Sequence, residues 1–318
     1  MSEHELVTRL RNGERRALAR AISLVEQGGP TVRTLLAAAY PYGSAHRVGI
    51  TGPPGAGKST LVTALAQEWR KRGVPVGIVA VDPSSPFSGG AVLGDRIRMQ
   101  ALGGDPGIFI RSMASRGRMG GLARATADAV TLIAAAGFPV ILIETVGAGQ
   151  DEVDIAQAAD TTIVVEVPGM GDDVQSIKAG MLEIADVFVV NKADRPGVDQ
   201  TVRQLRTMLN LGAPPADGWM PPVLTAIATT GEGCAQIVDA VEQHHQHLIA
   251  SNSQSQRALS AAERELTAAV QELVLERLRG SRWSELVQQI ATRQRDPYAA
   301  ANELLMEICT TEAQRSSM

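Results

Sequence analysis

The sequence predicts an α/β domain wound on both sides of a mostly parallel sheet, and three observations predict it. Seven short apolar runs (48–50, 76–81, 108–110, 140–143, 162–167, 187–190 and 223–224) are continuous and rich in β-branched residues, as suits strands covered on both faces. Helix-forming stretches separate most of them and supply the crossovers that parallel strands require. A glycine-rich turn, Gly52 to Gly57, joins the first run to a helix-forming segment at 61–71.

In chain order, residues 3–27 are helical in pattern. Leu6, Leu10, Leu18, Ile22 and Val25 recur at helical spacings with an interruption near Gly13, and Gly28-Gly29-Pro30 ends the run. A second helical run, 32–39, leads into Pro41-Tyr42-Gly43. Residues 1–44 are thus expected to be a helical N-terminal extension and 45–250 the α/β domain. A polar stretch, 250–256, reads as a linker. Beyond it Leu259, Leu266, Val270, Leu273 and Leu278 fall at helical spacing, with further helices expected at 283–290 and 297–308. Residues 251–318 are therefore a helical tail, either a cap on the sheet or a dimerisation arm.

Composition narrows the function classes. The chain has 318 residues, 44% of them hydrophobic, and a net charge of −4. Neither that charge nor the 3% aromatic content suits nucleic-acid binding. Cys234 and Cys309, the two cysteines, are too few for a disulfide framework or a cysteine zinc site. The N-terminus lacks a signal-peptide layout and no apolar run is long enough to cross a bilayer, so the expectation is a cytoplasmic protein with neither nucleic-acid nor membrane partners.

The strongest chemical signal is Gly52-Pro53-Pro54-Gly55-Ala56-Gly57-Lys58-Ser59-Thr60, a G-x-x-x-x-G-K-[ST] match between a strand and a helix. Its glycines let the backbone wrap phosphates, and successive N–H groups with the helix N-terminus favour anionic oxygens. Lys58 is placed to reach β- and γ-phosphates and the Ser59 hydroxyl to ligate Mg²⁺. The plainer alternative is an ordinary glycine-rich turn. With this loop the fold class becomes a P-loop NTPase. Asn191-Lys192-Ala193-Asp194 follows the strand at 187–190 and matches N-K-x-D. There Asp194, as a buried carboxylate, accepts from guanine N1–H and N2–H₂. Adenine lacks these donors and leaves the acid unpaired. Asn191 braces the loop and the Lys192 stem lies on the base plane. The alternative is a solvated turn.

Acids at strand ends supply metal chemistry. Asp82 follows the second run and Glu144 the fourth, where carboxylates face the phosphate loop; either could instead cap its strand. Glu144-Thr145-Val146-Gly147 stands where many such proteins carry D-x-x-G, with Gly147 able to sense the γ-phosphate through its N–H. Residues 82–98 form a Gly/Ser-rich switch candidate containing Asp95, a candidate metal or water ligand, and Arg96 and Arg98, which a flexible surface loop could equally carry.

Together these residues resemble the MeaB/ArgK/MMAA family of P-loop GTPases. The likeness extends through Asp82-Pro83-Ser84-Ser85, Gly89-Gly90, Leu93-Gly94-Asp95-Arg96 and the segment Gly171 to Gly180. It also includes Arg15 to Ile22 and Asp296-Pro297-Tyr298-Ala299-Ala300. The resemblance implies GTP/GDP and Mg²⁺ as cofactors. It implies a role as a G-protein chaperone that gates cofactor loading and protects an adenosylcobalamin-dependent acyl-CoA mutase, typically methylmalonyl-CoA mutase, and a homodimer through the C-terminal helices. It assigns Lys58 and Ser59 to phosphate and Mg²⁺, and Asp82, Asp95 and Glu144 to metal and switch. Gln175 and Lys178 go to mutase coupling or the hydrolytic site, and Ile227-Ala228-Thr229 to a backbone loop contacting guanine. Pro86-Phe87-Ser88 and the Ile-Ala-Thr loop depart from the usual pattern. The first leaves open which acyl-CoA mutase is served. No glutamine directly follows Gly147, and slow intrinsic turnover that a partner accelerates is expected.

Two other readings share the architecture. A nickel-type metal-delivery GTPase would need clustered Cys/His ligands. His244, His245 and His247 cluster, but are read as a solvated helix end because neighbouring helical positions point to different faces. A transport-associated ATPase or kinase is disfavoured by the guanine tetrapeptide.

Overall fold

The structure, a computed structural model of the chain, describes residues 2–82, 102–114, 124–145, 158–169, 179–212, 215 and 217–316. Among them seven strands form one sheet: β1 (His46–Thr51), β2 (Val76–Asp82), β3 (Ile108–Ala114), β4 (Val140–Glu144), β5 (Thr161–Glu166), β6 (Val187–Asn191) and β7 (Val223–Ala226). Each of the seven runs read from the sequence is a strand. The order is β3-β2-β4-β1-β5-β6-β7, and every adjacent pair is parallel, not merely most of them. The chain moves outward from β1 in one direction, returns through β4, and crosses β1 to build β5 to β7. That reversal opens a crevice at the C-terminal end of β1, the place where open α/β sheets bind ligands.

The period-two alternation of strand side chains divides the core between the two faces. On one face Val48, Ile50, Ile78, Leu142, Ile163 and Val189 pack with Leu61, Leu65 and Trp69 of α4 (Lys58–Lys71). Ile237 and Val241 of α8 (Cys234–Ala250) complete that layer. On the other face the strands split between two groups of helices. Val79, Val81, Phe109, Ile141 and Ile143 lie under the N-terminal helices α1 (Glu3–Arg11), α2 (Arg15–Gln27) and α3 (Pro30–Ala39), and under α5 (Arg124–Ala135). Val164, Phe188 and Val190 lie under α6 (Ala179–Ile184) and α7 (Val198–Leu211). The N-terminal helices contribute to this core: Leu10, Leu18, Ile22 and Leu35 are at most 1% exposed. The interruption anticipated at Gly13 is the α1–α2 break, where Gly13 has φ 82°, a left-handed conformation that costs glycine little.

Residues 255–318 form a second compact unit. Its small core joins Leu286, Ala300 and Leu304 with Leu278, Trp283 and Ile290, from α9 (Ser253–Leu278), α10 (Ser281–Ala291) and α11 (Pro297–Ser316). Arg282 pairs with Glu285 and Glu303, and Arg295 also reaches Glu303. The polar linker expected at 250–256 contracts to Ser251-Asn252 between α8 and α9, with Asn252 at φ 58°. Its serines and glutamines begin a helix rather than a coil.

Candidate nucleotide site

The glycine-rich turn leaves β1 at Thr51 and enters α4 at Lys58. Two of its glycines are required by close approach. Gly52 has φ 137°, and a Cβ there would meet the Val165 carbonyl oxygen of β5 at 2.1 Å. Gly57 has φ 88°, and its Cβ would meet Asn191 Nδ2 at 2.6 Å. The backbone thus sits where side chains cannot. Gly57, the N-cap of α4, has no side chain to bond the helix's first N–H groups, an arrangement that suits an anion. Lys58 is buried, at 6% exposure, and its Nζ donates to the carbonyls of Gly52 (2.8 Å) and Pro53 (3.1 Å). The ammonium is held at the mouth of the turn by groups that a phosphate can replace.

The loops after β6 and β7 are joined to this turn. Asn191 Nδ2 donates to the Ala56 carbonyl at 2.8 Å, and its Oδ1 accepts from Ala228 N–H at 3.1 Å. Lys192, at φ 58°, donates from Nζ to the Gly55 carbonyl at 2.6 Å. Ala193 N–H donates to Ala226 O at 3.0 Å, and Ile227 N–H to Glu232 O at 3.0 Å. One amide side chain therefore ties the loop carrying Gly55 and Ala56 to the loop carrying Ile227, Ala228 and Thr229. Asp194 follows on the same loop but is exposed. The carboxylate expected to be buried is not buried by the chain itself; a stacked base would have to cover it.

On the other side of the turn, the Ser59 hydroxyl donates to Glu144 Oε1 at 2.5 Å, and both residues are buried. Glu144 closes β4 and Asp82 closes β2, its backbone opposite Ala114. Asp95, Gly147, Gln175 and Lys178, with the loop 83–98, lie outside the described residues. The strands therefore bring together Gly52 to Thr60, Asn191 to Asp194, Ile227 to Thr229 and Glu144.

A model of the family described as "Methylmalonyl Co-A mutase-associated GTPase MeaB" matches residues 18–282. The chain belongs to the MeaB family of GTPases. A Pyrococcus abyssi protein named as a GTPase is 47% identical over 96% of each chain. The Escherichia coli GTPase ArgK is 40% identical over 78% of this chain and 77% of its own. The mouse methylmalonic aciduria type A homolog is 34% identical over 85% of this chain and 70% of its own. Among solved structures, an LAO/AO transport system kinase superposes with a TM-score of 0.73 at 29% identity, covering 96% of this chain and 97% of that one.

In this MeaB-family chain the metal-delivery reading finds no ligand set: among the described residues no group of three or more His, Cys, Asp or Glu side chains could hold a metal ion. Burial pushes the Cys234 thiol up to about 11, away from the thiolate that binds metals. Nor is any described helix long and apolar enough to cross a membrane.

The solvated histidine end expected on α8 is a correction. His244 is fully buried. It follows Ile237 and Val241 at intervals of four and three on the inward face, a periodicity that could have announced it. Polar partners at the strand starts make its burial tolerable. Sequence reasoning also missed Glu166, buried at the end of β5 beside Val165, whose carbonyl approaches Gly52. It lies inside the apolar run 162–167 yet closes its strand as Asp82 and Glu144 do.

Proposed function

We propose that this chain is a guanine-nucleotide switch that binds GTP or GDP with Mg²⁺, hydrolyses GTP slowly, and serves an adenosylcobalamin-dependent acyl-CoA mutase as a chaperone. The observation that carries the nucleotide half is the bonding of Asn191 and Lys192 to the Gly55 and Ala56 carbonyls. It joins a phosphate cradle to a base-selecting loop, with Asp194 at its rim. The site fits the ligand chemically: a turn in which Gly52 and Gly57 leave no room for a Cβ, an ammonium on exchangeable carbonyls, and a buried hydroxyl beside a carboxylate.

In this reading Lys58 exchanges the Gly52 and Pro53 carbonyls for β- and γ-phosphate oxygens, stabilising charge that develops in hydrolysis. Ser59 and Glu144, with Asp82 and Asp95, are the residues that would hold Mg²⁺, which when bound neutralises phosphate charge. Asp194 accepts from the guanine edge, and the amides of Ile227, Ala228 and Thr229 line the base. Gly147, Gln175 and Lys178 belong to the responsive segments that report the γ-phosphate to the mutase. The family description and the mouse relative's name support a mutase partner. The exposed Leu259, Leu266 and Val270 of α9 support a homodimer through 251–318, and the proposed compartment is the cytoplasm.

Calorimetry with GTP, GDP and ATP in Mg²⁺ tests the nucleotide reading. GTP and GDP should bind and ATP should not; equal uptake of ATP removes the role of Asp194. Single-turnover hydrolysis with and without candidate acyl-CoA mutases tests the partner: the served mutase accelerates hydrolysis and co-purifies in a nucleotide-dependent way.

A further inference from the structure

At the N-terminal ends of the same strands, away from the nucleotide loops, lies a second buried polar cluster. His46 opens β1, Thr161 opens β5, and Asp186 immediately precedes β6. The Thr161 hydroxyl stands 2.8 Å from His46 Nε2 and 2.8 Å from His244 Nδ1. His244 Nε2 is 3.2 Å from Asp186 Oδ1, without the alignment of a hydrogen bond. Asp186 Oδ2 accepts from Thr162 N–H at 2.8 Å, and the Asp186 carbonyl accepts from the Trp219 indole at 2.8 Å. The proton inventory sets a direction. A hydroxyl donates once, so it cannot donate to two imidazoles. With the Asp186 carboxylate drawing the proton of His244 to Nε2, Nδ1 is left as acceptor. In that tautomer Thr161 donates to His244 and accepts from His46 Nε2–H, the chain closing with His46 neutral.

The groups facing His46 can be named from every side. His245 of α8 stacks on it at 4.1 Å with 19° between the rings. Asp160, before β5, pairs with Arg47 of β1 at 2.8 Å. His244 and Asp186 complete the chain, and His247 Nε2, further along α8, bonds the Asp217 carbonyl at 3.0 Å. Burial, and then the neighbouring His245, hold His46 down to about 3. A proton on His46 would put a cation against a stacked imidazole at a buried site.

α8 carries the consequence. His244 ties the middle of α8, beyond the core residues Ile237 and Val241, to this chain, while its N-terminus begins at Cys234, after the loop of Ile227, Ala228 and Thr229. There Gly233 packs so tightly that a Cβ would meet Thr225 O at 2.2 Å. From His244 back to Cys234 the helix rises about 15 Å, the span over which the coupling must act. We propose that His46, Thr161, His244 and Asp186 form an acid-sensitive anchor for α8, and that its release weakens guanine-nucleotide binding at the other end of the helix. The inference rests on the nucleotide reading above for its readout, and on the histidine geometry for its cause.

The test is GDP affinity by calorimetry in Mg²⁺ from pH 8 to 5.5, on the full chain and on His46→Gln. The carboxamide keeps an N–H for Thr161 but does not titrate. The wild-type Kd should be level above pH 7 and then rise on acidification, approaching about tenfold per pH unit where one proton is linked to release. His46→Gln should match it at pH 8 and remain level. Parallel rises in both proteins, or no rise in the wild type, overturn the anchor. Failure of the wild type to bind GDP at pH 8 sinks the nucleotide reading instead. Should His46→Gln not fold, histidine-ring NMR of the wild type decides. His46 should stay neutral while GDP affinity is full and gain its proton only as affinity falls; an ordinary titration of His46 at unchanged affinity also overturns the anchor.

Discussion

The two ends of the sheet use the same three strands for opposite purposes. At their C-terminal ends β1, β5 and β6 finish in Thr51, Glu166 and Asn191; at their N-terminal ends they start from His46, Thr161 and the residue after Asp186. At the first end side chains bond mainly to backbone carbonyls of flanking loops, as with Lys58 to Gly52 and Pro53 and Asn191 to Ala56. Such bonds can be exchanged for a ligand's oxygens with little rearrangement. At the second end side chain meets side chain in a closed chain. The polarity of a parallel α/β sheet explains the division. The N-termini of crossover helices, with their partial positive charge, gather at the strands' C-terminal ends. The other end collects helix C-termini, offers anions nothing, and is left to hold the sheet together.

That contrast can be broken by substitution. Lys58→Ala should lower kcat for GTP by about 10²- to 10³-fold, as for loss of one charge-stabilising donor, with the urea midpoint little changed. A collapse of stability instead would mean the ligand end is structural. Thr161→Val should do the reverse. Two buried imidazole nitrogens lose their shared hydroxyl at about 1–3 kcal/mol each, lowering the urea midpoint; with the anchor broken the GDP Kd at pH 8 should rise, while kcat at saturating GTP stays near wild type.

Acid sharpens the comparison. Because His46 in the folded chain is held to about 3, below its unfolded value near 6.5, the unfolded state binds more protons between those limits. Its contribution is complete above about pH 6.5 and is lost as pH falls, by up to about 1.4 kcal/mol per pH unit. The difference between wild-type and His46→Gln urea curves from pH 7 to 5 isolates it, and a constant difference refutes the assignment. The smallest effect is expected away from both ends. Leu266→Ala on α9, where the side chain is 66% exposed, should change monomer stability by less than about 0.5 kcal/mol. It should loosen a homodimer measured by sedimentation.

What could be read from the chain differs between the ends for a physical reason. The ligand end is written in contiguous motifs: Gly52 to Thr60 and Asn191 to Asp194 each sit in one turn whose chemistry is local. The strands were legible because burial on both faces demands unbroken apolar runs. The histidine chain was not, because His46, Thr161, Asp186 and His244 become neighbours only when β1, β5, β6 and α8 assemble, and nothing near His244 in sequence names its partners. Strand order was hidden likewise, since runs of similar composition do not say which pairs with which. Asp194 shows the converse limit: the motif named the residue, but its exposure depends on what fills the site.

The insertion of β4 between β1 and β2 has a consequence for biosynthesis. β1 finds both its neighbours, β4 and β5, only in chain that emerges after β2 and β3 have been made. Pairings of such long sequence separation form late and slowly. A nascent polypeptide halted before Val140 therefore lacks either flank for the strand that launches Gly52. It should be unable to retain nucleotide, however complete its Gly52 to Thr60 segment, and is a natural client for holdases during translation.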